Sequence, residues 1–410
     1  MRTSKKIFLP VFSVLQFIAV TAHAQWIALN SGDSLPLNSI HFVNDSTGFI
    51  AGCDLVACET PSDWSSGSIL KTTDAGNTWN FLQNPQGYGR TSVAFVDDNI
   101  GYAAGPDIIK TIDGGITWFY PGPNSSLNSP FVYFINDTVG FIDGSPFNPG
   151  HTIRKTIDGG ISWNASILFS PPSQIAAVFF TSTQVGFAVG HDSALVLKTT
   201  DAGFTWIPVS TMYSLLSVYF PSANYGYAVG YNGTIIHTND AGINWSPQFA
   251  GTNANLHSIF CLNDNTCYAV GENGTILQTT DQGNTWVMHN SGTIQDLRSV
   301  YCTNYHCYAS GDSGVVLKTV DGEVGFIESS QDNLNDIHIF PNPSGSELNI
   351  QFNSTQIVQF VLYNSSGEKI IDEMLTGKTG IINLSAYPTG VYFYMVTNEN
   401  HLTTNGKIIK

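Results

Sequence analysis

Six aspartates, Asp74, Asp113, Asp158, Asp201, Asp240 and Asp281, recur in one setting. A Thr lies two residues before each, a Gly two residues after, a Thr, Ser or Asn four residues after, and a Trp next to that. A carboxylate among hydroxyls could ligate a hard cation or act as a general base. It could equally accept the backbone N–H groups of its own turn. The repetition decides between these. Catalytic constellations do not recur at six separate positions, whereas a repeat unit specifies its own turn. Gly76, Gly115, Gly160, Gly203, Gly242 and Gly283 then supply a positive φ, and Trp79, Trp118, Trp163, Trp206, Trp245 and Trp286 cover the turn with a large apolar face. A seventh copy, TVDGEVGF at 319–326, keeps Asp321 but has Glu323 for Gly and Phe326 for Trp. No catalytic residue, metal ligand or cofactor is assigned to any copy.

The elements that carry these turns repeat too. The Trp residues step by 39, 45, 43, 39 and 41 residues. Residues 215–245, LLSVYFPSANYGYAVGYNGTIIHTNDAGINW, show the unit plainly. LLSVYF and YGYAVG read as strands, Asn-Gly as a two-residue hairpin turn, TIIHT as a third strand and NWSPQF as a fourth. Pro247 in the fourth places that strand at an edge. Seven such starts, from LNSIHF at 37 to LRSVYC at 297, give an all-β, seven-bladed propeller over 25–327. WIALNSG at 26–32 parallels WVMHNSG at 286–292, so the N-terminal strand is expected to supply the outer strand of blade seven.

The turn motif resembles the Asp-box of sialidases and sortilin-type receptors. With GYAVG before it, the unit resembles the photosystem II stability/assembly-factor family of seven-bladed propellers. Members of that family bind a reaction-centre precursor through an Arg-rich patch. This chain has only Arg2, Arg90, Arg154 and Arg298, so the resemblance carries the architecture and not the partner. After a polar linker, 328–337, residues 338–410 read as a small Ig-like β-sandwich. PNPSGSELNI, LYNSSGEKI, LSAYPTGVYFYMV and the terminal KIIK resemble the type A sorting domain of the type IX secretion system. That implies the type IX machinery as a partner for 338–410 and a Gram-negative source.

Export is also expected from the N-terminus. Arg2, Lys5 and Lys6 precede an apolar run, and AHA at 22–24 sets a cleavage site between Ala24 and Gln25, making 1–24 a signal peptide. The net charge of −16, about −19 after that cleavage, lacks any nucleic-acid footprint. The six cysteines form close pairs, Cys53/Cys58, Cys261/Cys267 and Cys302/Cys307, read as three local disulfides. Lys71, Lys110, Lys155, Lys198 and Lys318 precede the turn motif; they read as rim charge paired with acids or solvated, over an anion-binding array. The expected product is a monomeric, secreted or cell-surface binding protein for an extracellular protein or glycan, with the 53–68 insertion and its Trp64 as a contact. The alternative is a glycoside hydrolase of sialidase type, which needs an Arg cluster.

Overall fold

The computed structural model describes residues 25–53, 67–122, 129–143, 153–168, 174–191, 195–210, 213–320, 337–340, 347–364, 369–388, 390–398 and 403–410. Residues 1–24, Cys58, Trp64, Asp321, Glu323, Phe326 and residues 328–336 lie outside these. The chain divides into two compact units, Met1–Phe326 and Ile327–Lys410.

The first unit is seven antiparallel sheets built in sequence order. Their first strands are Leu37–Phe42, Ser92–Phe95, Val132–Phe134, Gln174–Phe180, Leu215–Tyr219, Leu256–Cys261 and Leu297–Cys302. First strands of most neighbouring blades pack on one another and form the inner ring. Trp26–Asn30 completes blade seven, with Trp26 opposite Thr319 and Asn30 opposite Val315. Pro247 lies on the outer strand of blade five, Ser246–Gln248, as a missing ladder donor requires. Two blades depart from the plan. Among the described residues blade two has three strands, its fourth reduced to one bridge between Lys110 and Phe119. Blade four gains a fifth strand, Ile167–Leu168, which pairs parallel with Thr205–Ser210.

The hairpins follow from local chemistry. In blade five Asn232 has φ 55° and Gly233 φ 67°, and Thr234 N–H donates to the Tyr231 carbonyl at 3.1 Å. This is the left-handed pair that Asn-Gly favours. A Cβ on Gly233 would stand 2.0 Å from the Thr252 carbonyl oxygen, so glycine is needed for space as well as for φ.

One packing rule explains the first-to-second strand hairpins. Phe42, Phe95, Phe134 and Phe180 each oppose a glycine, Gly48, Gly101, Gly140 and Gly186. With Phe220 over Gly226, the ring lies 2.4–2.8 Å from where a Cβ would be. Blades six and seven put a cystine in the same place: Cys261 opposes Cys267 and Cys302 opposes Cys307, both disulfide-bonded. The cystine thus substitutes for a ring laid across a bare backbone. The third expected pair has Cys58 outside the described residues.

The second unit has strands Ile337–Phe340, Glu347–Tyr363, Lys369–Asn383, Val391–Asn398 and Thr403–Ile409. They form one hydrogen-bonded sheet rather than two separate ones. Register breaks between Gln351 and Gln356, and residues from both sides of the break, Leu348 and Ile350 with Val358, Phe360 and Leu362, share one core.

Candidate functional site

In each complete turn motif the aspartate is saturated by its own loop. Thr72 Oγ1 donates to Asp74 Oδ1 at 2.8 Å, Thr78 N–H donates to Oδ1 at 2.9 Å and Thr78 Oγ1 to Oδ2 at 2.7 Å. Gly76 N–H donates back to Thr72 Oγ1 at 2.9 Å. The same bonds recur around Asp113, Asp158, Asp201, Asp240 and Asp281. The Thr78 and Thr117 hydroxyls hold Asp74 and Asp113 below the usual carboxylate range, and the Asn244 N–H and amide hold Asp240 at about 2. At Asp158, Asp201 and Asp281 burial pushes upward, but the bonds from Ser162, Thr205 and Thr285 outweigh it. Each glycine of the motif has φ between 74° and 90°. The residue before it is left-handed too, including Ala75, Ala202, Ala241 and Gln282.

The remaining motif residues join blades. Trp245 stands edge-on to Phe220 of its own blade and Phe187 of the preceding one. Trp79 likewise shares a core with Phe42 and with Tyr308 of blade seven. The lysines of blades one and four bond carbonyls rather than acids. Lys71 Nζ donates to the Gly114 carbonyl at 2.7 Å and Lys198 Nζ to the Ala241 carbonyl at 2.8 Å, each in the turn of the next blade. Lys155 lies 3.6 Å from the centre of the Phe204 ring, and Lys318 lies over Tyr308. Lys71, Lys155 and Lys198 thus reach the next blade, because an ammonium near a turn of carbonyls and an aromatic face is well solvated by both.

The arginines do not converge. Arg90 is fully buried and ion-paired with Asp107. Arg154 sits in Ile153–Thr156 of blade three. Arg298 in blade seven makes two 2.9 Å bonds to Asp312. Beside it the ligand atoms of His257, Glu272 and Asp296 lie within 4.8 Å of one another. Their oxygens are taken internally: Asn255 donates to both oxygens of Glu272, and Asn273 N–H and Arg298 donate to Asp296. This group fastens the loops of blades six and seven.

The inner ring holds a feature the motif search missed. His41, Tyr133, Phe179, Tyr219, Phe260 and Tyr301 occupy one position of the first strand in six blades. Their ring centres follow one another at 6.2, 4.7, 4.6, 4.7 and 5.0 Å from Tyr133 round to His41. Successive planes turn by 40–52°, near the ~51° step between blades of a seven-fold ring. Below the belt, serine hydroxyls take N–H groups of the next inner strand: Ser299 from Ile40, Ser39 from Val93, Ser217 from Ile259 and Ser258 from Val300. A cavity of about 280 Å³ opens on the belt between blades five, six, seven and one, lined by Phe42, Tyr219, Phe260 and Tyr301 with Asn44, Asp45 and Asn304 at its rim. Burial drives the Tyr301 hydroxyl up to about 12 and lowers His41 to about 4, so both are neutral at neutral pH. The signal was in the sequence: six of the seven first strands set an aromatic ring at this place, as in IHF, VYF and VFF, while SVAF of blade two has Ala94.

Comparison with known proteins agrees with this geometry. Residues 207–290 match the family described as photosynthesis system II assembly factor YCF48, and residues 338–410 match the secretion system C-terminal sorting domain. Solved YCF48 structures superpose on the ring. One, bound to a D1 peptide, is 17% identical with a TM-score of 0.58, covering 72% of this chain and 96% of that one. The other, from Cyanidioschyzon merolae, is 17% identical with a TM-score of 0.57, covering 72% and 98%. The chain is a β-propeller similar to YCF48, followed by a segment that matches the sorting domain.

The fold is shared more widely. Virginiamycin B lyase from Staphylococcus aureus is 12% identical to this chain, with a TM-score of 0.58 and coverage of 73% and 100%. At these identities the likeness to solved structures is one of fold. No curated protein matches the sequence. In the sorting tail, Lys410 Nζ donates to the carbonyls of Leu384 and Tyr387, and its backbone pairs with Gly390. The terminal lysine is thereby fixed against the LSAYPTG turn that carried the resemblance.

Proposed function

We propose that this chain is a non-enzymatic binding propeller, exported in two stages and delivered outside a Gram-negative cell as a free or surface-attached monomer. The observation that carries the reading is the match of residues 338–410 to the secretion sorting domain. Removal of residues 1–24 accounts for passage of the inner membrane, and recognition of 338–410 by the type IX machinery for the outer one. The Asp-box residues serve the ring itself, since each carboxylate is consumed by its own turn. Binding is left to the loop faces and the channel mouth.

The test is a pair of exchanges. Deleting 338–410 leaves a folded propeller in the periplasm, and fusing 338–410 to an inert reporter sends the reporter outside. Normal export of the truncated chain sinks the reading. A protein and glycan array probed with the mature chain identifies the ligand. Catalysis is the second reading, because a lyase shares the fold. A sialidase-type site needs converging arginines, and here Arg90, Arg154 and Arg298 stand in three separate blades. Turnover of an array ligand would establish an enzyme instead.

A further inference from the structure

The cavity at the channel mouth offers ring faces and edges from Phe42, Tyr219, Phe260 and Tyr301, includes Asp45, whose carboxylate accepts from Asn304, and has no Lys or Arg in its lining. Aromatic walls with a nearby carboxylate suit a cation, through the ring quadrupole and direct charge. The surroundings have the same sign. On this face the inner hairpins carry Asp45, Asp97, Asp98, Asp137 and Asp264, and the six complete Asp-box turns add one aspartate each. Neither set of turns contains a Lys or Arg. Lys71, Lys110, Lys155 and Lys198 beneath reach the turn of the next blade, as at Gly114 and Ala241. A concave site ringed by one sign of charge concentrates ligands of the other.

We infer that the channel mouth on the Asp-box face binds a basic polypeptide segment, one Lys or Arg side chain of which enters the cavity lined by Phe42, Tyr219, Phe260 and Tyr301. This rests on the binding-propeller reading and adds the ligand class. The charged head meets the ring faces and the Asp45 charge, and the methylene stem lies along the apolar lining. Disulfides pin both hairpins that frame the opening, Cys261–Cys267 and Cys302–Cys307, so the mouth is preformed and little order is lost on binding. A second copy of this chain is disfavoured as the occupant by its own net charge of −16.

The test uses the full chain with fluorescein-labelled octalysine and octaglutamate, read by anisotropy at low and high salt. Octalysine is expected to bind saturably and octaglutamate not at all. Joint Tyr219→Ala and Tyr301→Ala substitution weakens octalysine binding about tenfold, while the Tyr→Phe pair retains it, because the ring face and not the hydroxyl makes the contact. Tetramethylammonium competes. If the Ala pair lowers the melting point, Phe260→Leu replaces it. Octalysine binding that ignores these substitutions reports general attraction to an acidic surface and overturns the proposal, as does a neutral oligosaccharide held by the same residues. Either result leaves the binding-propeller reading intact; turnover of the bound ligand removes that reading instead.

Discussion

Replacing the Cys261–Cys267 bridge by the pair other blades use gives a sharp test of the packing rule. Cys261→Phe with Cys267→Gly writes blade six in the idiom of blade five, where Phe220 lies over Gly226. Phe220 is held between Phe187 and Trp245, whose ring centres are 6.5 Å apart. The corresponding gap in blade six, between Tyr227 and Trp286, is 6.3 Å. A ring at 261 therefore has a slot of nearly the right width. A bridge with a sequence separation of 6 contributes about 2 kcal/mol through chain entropy. A buried Phe side chain contributes about 1.5–3 kcal/mol. The swap should leave stability within about 1 kcal/mol of the parent. The Cys261→Ser, Cys267→Ser pair loses about 2 kcal/mol, which lowers Tm by roughly 4 °C for a ring of this size. Calorimetry under oxidising and reducing conditions separates the cases, because the parent should fall on reduction and the Phe/Gly variant should not. A Phe/Gly variant that melts as low as the Ser pair would refute the equivalence.

Trp26→Ala should cost about 3–5 kcal/mol, since the indole is buried against Tyr268, Val270 and Ile276 where the ring closes, and urea unfolding should show it as a shifted single transition. Lys198→Met removes the bond to the Ala241 carbonyl and should lose about 1–2 kcal/mol in the same assay, although no anion is displaced. Acid should destabilise the ring from one direction. The Asp-box carboxylates are held below their ordinary value of 3.8, so their stabilisation is complete above that pH and is lost as pH falls towards 2. Melting points measured across that interval should drop steeply, and Asp240→Asn should show a shallower drop than the parent.

The number of blades and their closure were legible because each repeat carries its own punctuation: Asn-Gly at one hairpin, Asp and Gly at the other. Cys261/Cys267 and Cys302/Cys307 could be paired because six or fewer residues separate cysteines at matching places in two repeats. Lys71 and Lys198 were misjudged, because their partners are backbone carbonyls, which every residue has and no residue type advertises. The aromatic belt was overlooked for a related reason. Tyr219, Phe260 and Tyr301 are some forty residues apart, and only the closure of the ring makes them neighbours. In the tail, the strand pattern predicted two layers, and the described strands hydrogen-bond into one sheet whose longest strand crosses a register break. Side-chain alternation does not distinguish that from two separate sheets.

Blade seven also sets a schedule. A chain leaves the ribosome, or passes through a membrane, with its N-terminus first, so Trp26–Asn30 is the earliest strand to appear. Its partners, Val315–Thr319, are among the last residues of the ring to follow. For nearly the whole of that interval the first strand has nowhere to go, and the six blades between are an open arc. Closing so long a loop adds little to the final free energy, because the entropy grows only with the logarithm of length, but it delays the last step of folding until the end of delivery. The protein therefore has a built-in waiting period: it remains an unlatched chain while it is being threaded and becomes a rigid ring only once the far end of the propeller has arrived.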